Sequence, residues 1–202
     1  MDKGAQGRLK EQIMQAVEES RPHPLGGGQY LTFFVASEEY AVNILKVKEI
    51  IEYDTVTTVP NTAPWIRGVT NLRGNVVPVI DLAVKFGLPA SKASKLSCIV
   101  ITEVSYEGDR LTMGVMADAV NQVLEFSANE IETPPPFGTR LRIEFLLGMG
   151  RMGKKFCLIL DIDKVLSADE LLAVTDSTQS SQEATTTANR SRPKRRAAES
   201  GV

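Results

Sequence analysis

Few side chains in this sequence suit covalent or acid–base chemistry. The single histidine, His23, stands between Pro22 and Pro24, which places it in a linker and removes most histidine-dependent catalysis. Cys98 and Cys157 lie inside apolar runs with no metal-ligand spacing. That pattern suits small core residues in a reducing compartment. Asp81 and Asp161 look like an acidic pair, but each stands where a strand pattern gives way to a short helical one. A carboxylate there accepts orphan backbone N–H groups, so capping accounts for both. Gly148-Met149-Gly150-Arg151-Met152-Gly153 has G-x-G-x-x-G spacing. Such a loop holds a pyrophosphate where it follows a strand and opens a helix. Here Lys155 to Asp161 follows, a strand pattern, so the glycines are expected to serve a tight turn; a dinucleotide enzyme is the weaker alternative. P-loop, H-E-x-x-H, G-x-S-x-G and C-x-x-C patterns are absent. No catalytic residue, metal or cofactor is expected.

The elements that carry these residues repeat. Ile66 to Leu82 reads as an apolar strand, a tight turn and a second apolar strand. Eighty positions on, without a gap, Leu146 to Ile162 repeats it: Gly68 falls on Gly148 and Asp81 on Asp161. Val69, Leu72, Val76, Ile80 and Leu82 fall on Met149, Met152, Phe156, Leu160 and Ile162. A second block recurs at an offset of 73, with Tyr40-Ala41-Val42, Val47, Ile50 and Ile51 matching Met113-Gly114-Val115, Val120, Val123 and Leu124. One small β unit is used twice.

The remaining elements fit this reading. Tyr30 to Val35 is a strand pattern with its hairpin return at Glu38 to Val42, and a further strand surrounds Lys48 to Tyr53. Gly74-Asn75 suits a two-residue turn with glycine first, the II′ form. Pro78 cannot donate to a ladder and marks an edge or a bulge. Short helices are expected over Leu82–Phe86 and Ile162–Leu166, with further strands over Ser97–Val104, Leu111–Ala117 and Val120–Phe126. The fold class is therefore all-β, with two small antiparallel barrels related by a pseudo-two-fold axis. Barrel one is expected over about 29–90 and barrel two over about 97–166. Ser167 and Glu170 form a capping box for a last helix over 168–174.

The ends differ in character. Leu9 to Glu19 has apolar residues at helical spacing, and the Pro- and Gly-rich stretch up to Gly28 is a linker. Residues 175–202 are rich in Ser, Thr, Gln and Ala with a basic cluster from Arg190 to Arg196. This tail is expected to be disordered. Its cluster suits a solvated tail, or contact with lipid headgroups or nucleic acid. The net charge of -2 over 202 residues argues against bulk capture of nucleic acid. No signal-peptide core or run near the ~20 residues of a membrane span is present, so a cytoplasmic protein without direct membrane insertion is expected.

Subtracting one copy from the other exposes residues that the barrel does not require. Arg73 aligns with Gly153, and Glu49 with Gln122. An exposed Glu–Arg pair adds only ~0–1 kcal/mol to stability, so orientation for a partner is the alternative to an ordinary surface pair. Arg67, beside Gly68, is a similar candidate.

Asn43-Ile44-Leu45, Val47, Glu49-Ile50, the run Asn61 to Gly74 with its Asn71-Leu72-Arg73-Gly74, and Val77 to Leu82 closely resemble the CheW family of bacterial chemotaxis coupling proteins. Gly114-Val115, Asp118-Ala119-Val120 and Pro134-Pro135-Pro136 continue the match, which covers about Gln29 to Val174. The resemblance implies two five-stranded SH3-like barrels with a groove between them. It implies a non-catalytic adaptor linking the cytoplasmic tip of chemoreceptors to the regulatory domain of a CheA-type histidine kinase within a signalling array. By position, Glu49, Arg73, Ile99 and Val123 would serve receptor binding, and Val47, Ile50, Arg67 and Gly68 kinase binding. The N-terminal segment and basic tail depart from the family core, and Trp65 stands where a smaller aromatic is common.

Overall fold

The computed structural model describes residues 27–165 apart from 55, 107–108 and 135–142, together with Gly7, Glu11 and Gln15. Nearly all of the amphipathic N-terminal segment, the helix expected over 168–174 and the basic tail lie outside the described residues.

Eleven strands are described: β1 Gly28–Val35, β2 Glu38–Asn43, β3 Val47–Glu52, β4 Ile66–Leu72, β5 Asn75–Asp81, β6 Cys98–Tyr106, β7 Asp109–Ala117, β8 Ala119–Phe126, β9 Ile131–Glu132, β10 Leu146–Met152 and β11 Lys155–Leu160. They form two mixed sheets, in the orders β3-β6-β7-β5-β4 and β8-β1-β2-β11-β10-β9. Apart from the two-residue β9, each has five strands, as the family resemblance implies.

The barrels are not built from contiguous halves of the chain. The first contains β3, β4 and β5 with the β6–β7 hairpin, and the second contains β8, β10 and β11 with the β1–β2 hairpin. Each half lends its opening hairpin to the other half's sheet. The expected boundaries of about 29–90 and about 97–166 are corrected accordingly. The physical reason lies in the connections. One residue, Asp118, separates β7 from β8, too few for a hairpin turn, so the chain runs on into the opposite sheet. The exchange is symmetric. Val79, Ile80 and Asp81 pair in parallel with Gly114, Val115 and Met116. Leu158, Ile159 and Leu160 pair in parallel with Tyr40, Ala41 and Val42. Ile80–Val115 thus maps onto Leu160–Val42 through the two sequence offsets.

Three apolar clusters follow from strand alternation. Val77, Val79, Ile99, Ile101 and Met116 fill the first barrel. Tyr30, Ala41, Phe126, Cys157 and Ile159 fill the second. The largest joins the two and includes Leu31, Phe33, Val42, Val100, Val115 and Leu160. Each such fully buried Leu, Ile or Phe contributes about 1.5–3 kcal/mol, so the barrels are bonded by a core larger than either interior. Burial pushes the Cys157 thiol up to about 12, which leaves it an unreactive packing group.

Pro78 illustrates how position decides tolerance. It pairs with Val69 of β4, but pairing of β5 with β7 begins only at Val79. Its missing N–H falls where the second neighbour has not yet arrived.

Candidate functional site

The turn between β4 and β5 differs from the expected form. Leu72 pairs with Asn75, so the central residues are Arg73 and Gly74, both with positive φ, 52° and 91°. This is the I′ pattern, not the II′ turn centred on Gly74-Asn75. In the second copy Met152 pairs with Lys155, and only Gly153 of the central pair has positive φ, at 61°. The second hairpin therefore uses glycine first, and the first uses an arginine in the left-handed region. For a residue with a Cβ that conformation costs about 1–2 kcal/mol. Asn71 secures it, its side-chain oxygen accepting from the Gly74 N–H at 2.8 Å.

The turn holds Arg73 out to solvent. Its side chain is 77% exposed and reaches the Glu49 carboxylate at 3.0 Å. Glu49 belongs to β3 and Arg73 to the tip of β4–β5, so the pair spans the two ends of the sheet order. The sequence subtraction singled out these two residues, and the fold brings them together. It missed a related pair. In the second barrel Arg151, the mate of Asn71, pairs with Glu132 of β9. The second barrel is thus not neutral at this end; its arginine stands within a strand where the first has its arginine at the turn.

Arg67 has a different setting. Its Nε donates to the Tyr53 hydroxyl at 3.1 Å and its Nη2 to the Ser91 carbonyl at 3.3 Å. Its Nη1 lies 3.7 Å from the buried Asp81 carboxylate. The Tyr53 hydrogen bond, more than the Asp81 charge, raises the guanidinium further above its ordinary value. Asp81 also accepts from the N–H groups of Ala83, Val84 and Ser91, which bears out its capping role. Asp161 instead pairs with Lys164 at 2.9 Å. Arg67 is a clamp between β4, the end of β5 and the following loop.

The other candidates divide by burial. Ile50 and Val123 are half-buried and pack against the joint core. Val47 is buried within that core. Ile99 is 1% exposed inside the first barrel, because β6 is an interior strand of that sheet. The expectation that Ile99 serves receptor binding is corrected: its buried side chain offers no surface to a partner. Gly68 is buried, with φ of 144°, and a Cβ there would collide with the carbonyl of Thr57. Thr57 bridges to Val69, so glycine allows this segment to lie across β4.

The glycine-rich motif is a hairpin, as expected. Gly148 and Gly150 lie in β10, Gly153 lies in the turn, and β11 follows. Gly148 faces Ile131, and Gly150 faces the Phe126 ring. Among the described residues no three or more His, Cys, Asp and Glu side chains gather as a metal site.

The fold and this surface define a duplicated, strand-exchanged β module with an exposed arginine held out at the β4–β5 hairpin tip. The chain belongs to the CheW family: residues 29–170 match the CheW-like domain. It is 39% identical over 148 residues to the chemotaxis protein CheW of Klebsiella aerogenes, covering 73% of this chain and 87% of that one. It is 31% identical over 147 residues to the CheW of Treponema pallidum, covering 84% of that protein. The crystal structure of the scaffolding protein TtCheW from Thermoanaerobacter tengcongensis superposes with a TM-score of 0.63 at 32% identity, covering 74% of this chain and 92% of that one.

Proposed function

We propose that the protein is a non-catalytic adaptor that couples chemoreceptors to a CheA-type histidine kinase, working in the cytoplasm at membrane-associated receptor arrays. The observation that carries this reading is Arg73. It occupies a left-handed backbone position that its own repeat mate fills with glycine, it is exposed, and it is aimed by Asn71 and Glu49. A costly conformation that presents a charge to solvent is explained by recognition rather than by folding. Membership of the CheW family, the likeness to chemotaxis proteins and the scaffolding role of TtCheW support a scaffold in chemotaxis signalling.

In this reading Arg73 and Glu49 form the polar contact with the receptor tip, and Val123 adds apolar surface from the second barrel. Ile50 and the frame set by Val47, Gly68 and Arg67 shape barrel one for the kinase regulatory domain. Val47, Gly68 and Ile99 act through the shape of the barrel, because their side chains are buried. The adaptor then fixes the relative orientation of receptor and kinase. The test is reconstitution of receptor, kinase and adaptor, with kinase output read against receptor ligand. Arg73→Ala is expected to abolish receptor control while the circular dichroism of the barrels is retained. Normal coupling by that variant would remove Arg73 from the role.

A further inference from the structure

In the first copy the end of the last hairpin is covered by the chain that follows it. The chain leaves the helix Leu82–Lys85 and folds back over it. The Leu88 N–H donates to the Ala83 carbonyl at 2.8 Å, the Ser91 N–H donates to Asp81 at 3.1 Å, and the Ser91 carbonyl accepts from Arg67. Leu88 packs against the joint core. In the second copy the corresponding helix is Ile162–Val165. The mates of Arg67, Asp81, Leu82 and Ala83 are Leu147, Asp161, Ile162 and Asp163. These four line an open groove of about 470 Å³, together with Leu45, Lys46 and Arg110 among others.

The groove is apolar at its floor and charged at its rim. Leu147 is 53% exposed and Leu45 44%. Lys46 pairs with Asp163 at 2.7 Å and Arg110 with Glu103 at 2.9 Å along the edge. It stands where the first copy is covered by residues 87–91. The residues that follow Val165 are 166–174, which lie outside the described residues. They carry Leu166, Leu171, Leu172 and Val174. They begin directly beside the groove wall at Ile162 and Asp163. Nine residues span ~14 Å as a helix and about 30 Å extended, so the groove is within reach in either form.

We propose that residues 166–174 of the same chain dock in this groove, with Leu171 and Leu172 against Leu45 and Leu147. They give the second copy the cover that 87–91 give the first. The inference rests on the repeat and the groove, not on the partners assigned above.

Leu147→Cys provides the probe, because Cys98 and Cys157 are buried and give little background. Thiol labelling of Cys at 147 is measured in the full-length chain with and without Leu171→Asp and Leu172→Asp. The double substitution is expected to speed labelling about tenfold, as release of a docked segment opens the site, with the thermal midpoint of the barrels retained. Equal rates in the two backgrounds would overturn the proposal. A second route avoids disruptive charges. Leu147→Cys is combined in turn with Leu171→Cys and Leu172→Cys, and oxidation is followed on non-reducing gels. An intramolecular disulfide in at least one pair at low micromolar protein supports docking in the same chain. Dimers that grow with concentration, or no disulfide in either pair, would overturn it.

Discussion

Replacing Arg73 by glycine separates the two explanations of this residue. The turn holds Arg73 at a φ of 52°. Release of the left-handed penalty favours the folded variant by about 1–2 kcal/mol. The added freedom of glycine in the unfolded chain offsets ~0.4–1 kcal/mol of that. Loss of the exposed pair with Glu49 removes a further ~0–1 kcal/mol. The sum lies near zero. Arg73→Ala loses the same pair but keeps the backbone strain. The glycine variant should therefore be more stable than the alanine variant by about 1 kcal/mol, or ~2–4 °C for a domain of this size. Urea unfolding of the three proteins, paired with the reconstituted kinase assay, gives both readouts. The expected pattern is wild-type-like stability with lost receptor control in Arg73→Gly. A glycine variant less stable than the alanine variant would refute the turn argument. Intact coupling in both would refute the functional one.

Other sites give sharper contrasts between the two copies. Gly68→Ala drives a methyl group into the Thr57 carbonyl at an already positive φ and should cost ~3 kcal/mol or more. Gly153→Ala, with open space at its Cβ, should cost about 1 kcal/mol; thermal denaturation of the pair decides. Asp81→Ala leaves three N–H groups without their acceptor and removes the carboxylate beside the Arg67 guanidinium, and should cost about 3 kcal/mol, against a far smaller loss for Asp161→Ala. Glu103 is held below its ordinary value of 4.5, first by the Lys48 hydrogen bond and then by Arg110. A carboxylate depressed in the folded state contributes stability above 4.5 that is lost as pH falls through the folded value. Glu103→Gln should therefore narrow the gap in urea midpoint between pH 6 and pH 3.

Much of this was legible in the chain. The offsets of 80 and 73 located the equivalent strands, and their burial follows: β4 and β10 alternate in step, and Val77, Val79 and Ile80 are buried like Cys157, Ile159 and Leu160. Glu49 and Arg73 stood out because their mates are uncharged. Strand exchange was not read, because exchanged and unexchanged sheets satisfy the same apolar pattern. Pairing between distant strands leaves no local trace; the single-residue connection at Asp118 was the available signal. Ile99 was misplaced for the same reason, since its surroundings depend on which sheet receives β6. The I′ turn is not legible because Gly-Asn signals glycine at the first central position, whereas arginine seldom adopts a left-handed backbone. The Arg151–Glu132 pair escaped because Glu132 lies on a two-residue strand that no periodicity marks.

Strand exchange also bears on the proposed adaptor role. Two domains joined by a modest polar interface move relative to one another by default. Here neither barrel can leave the other. Each contains a hairpin contributed by the opposite half, and the largest apolar cluster lies between them. Trp65 and Phe145, mates in the repeat, are bridged by Lys85, 4.1 Å from one ring and 5.9 Å from the other. Their carbonyls accept from Asp81 and Asp161 in the same way, at 2.8 and 2.9 Å. The joint is thus apolar in the main, with matching backbone hydrogen bonds on its two sides. The angle between a face on barrel one and a face on barrel two is then a property of the core. In the proposed role, a change in a partner's position at Arg73 would be carried to the far barrel as a rigid displacement, and the glycine variant would remove that contact without loosening the body that carries it.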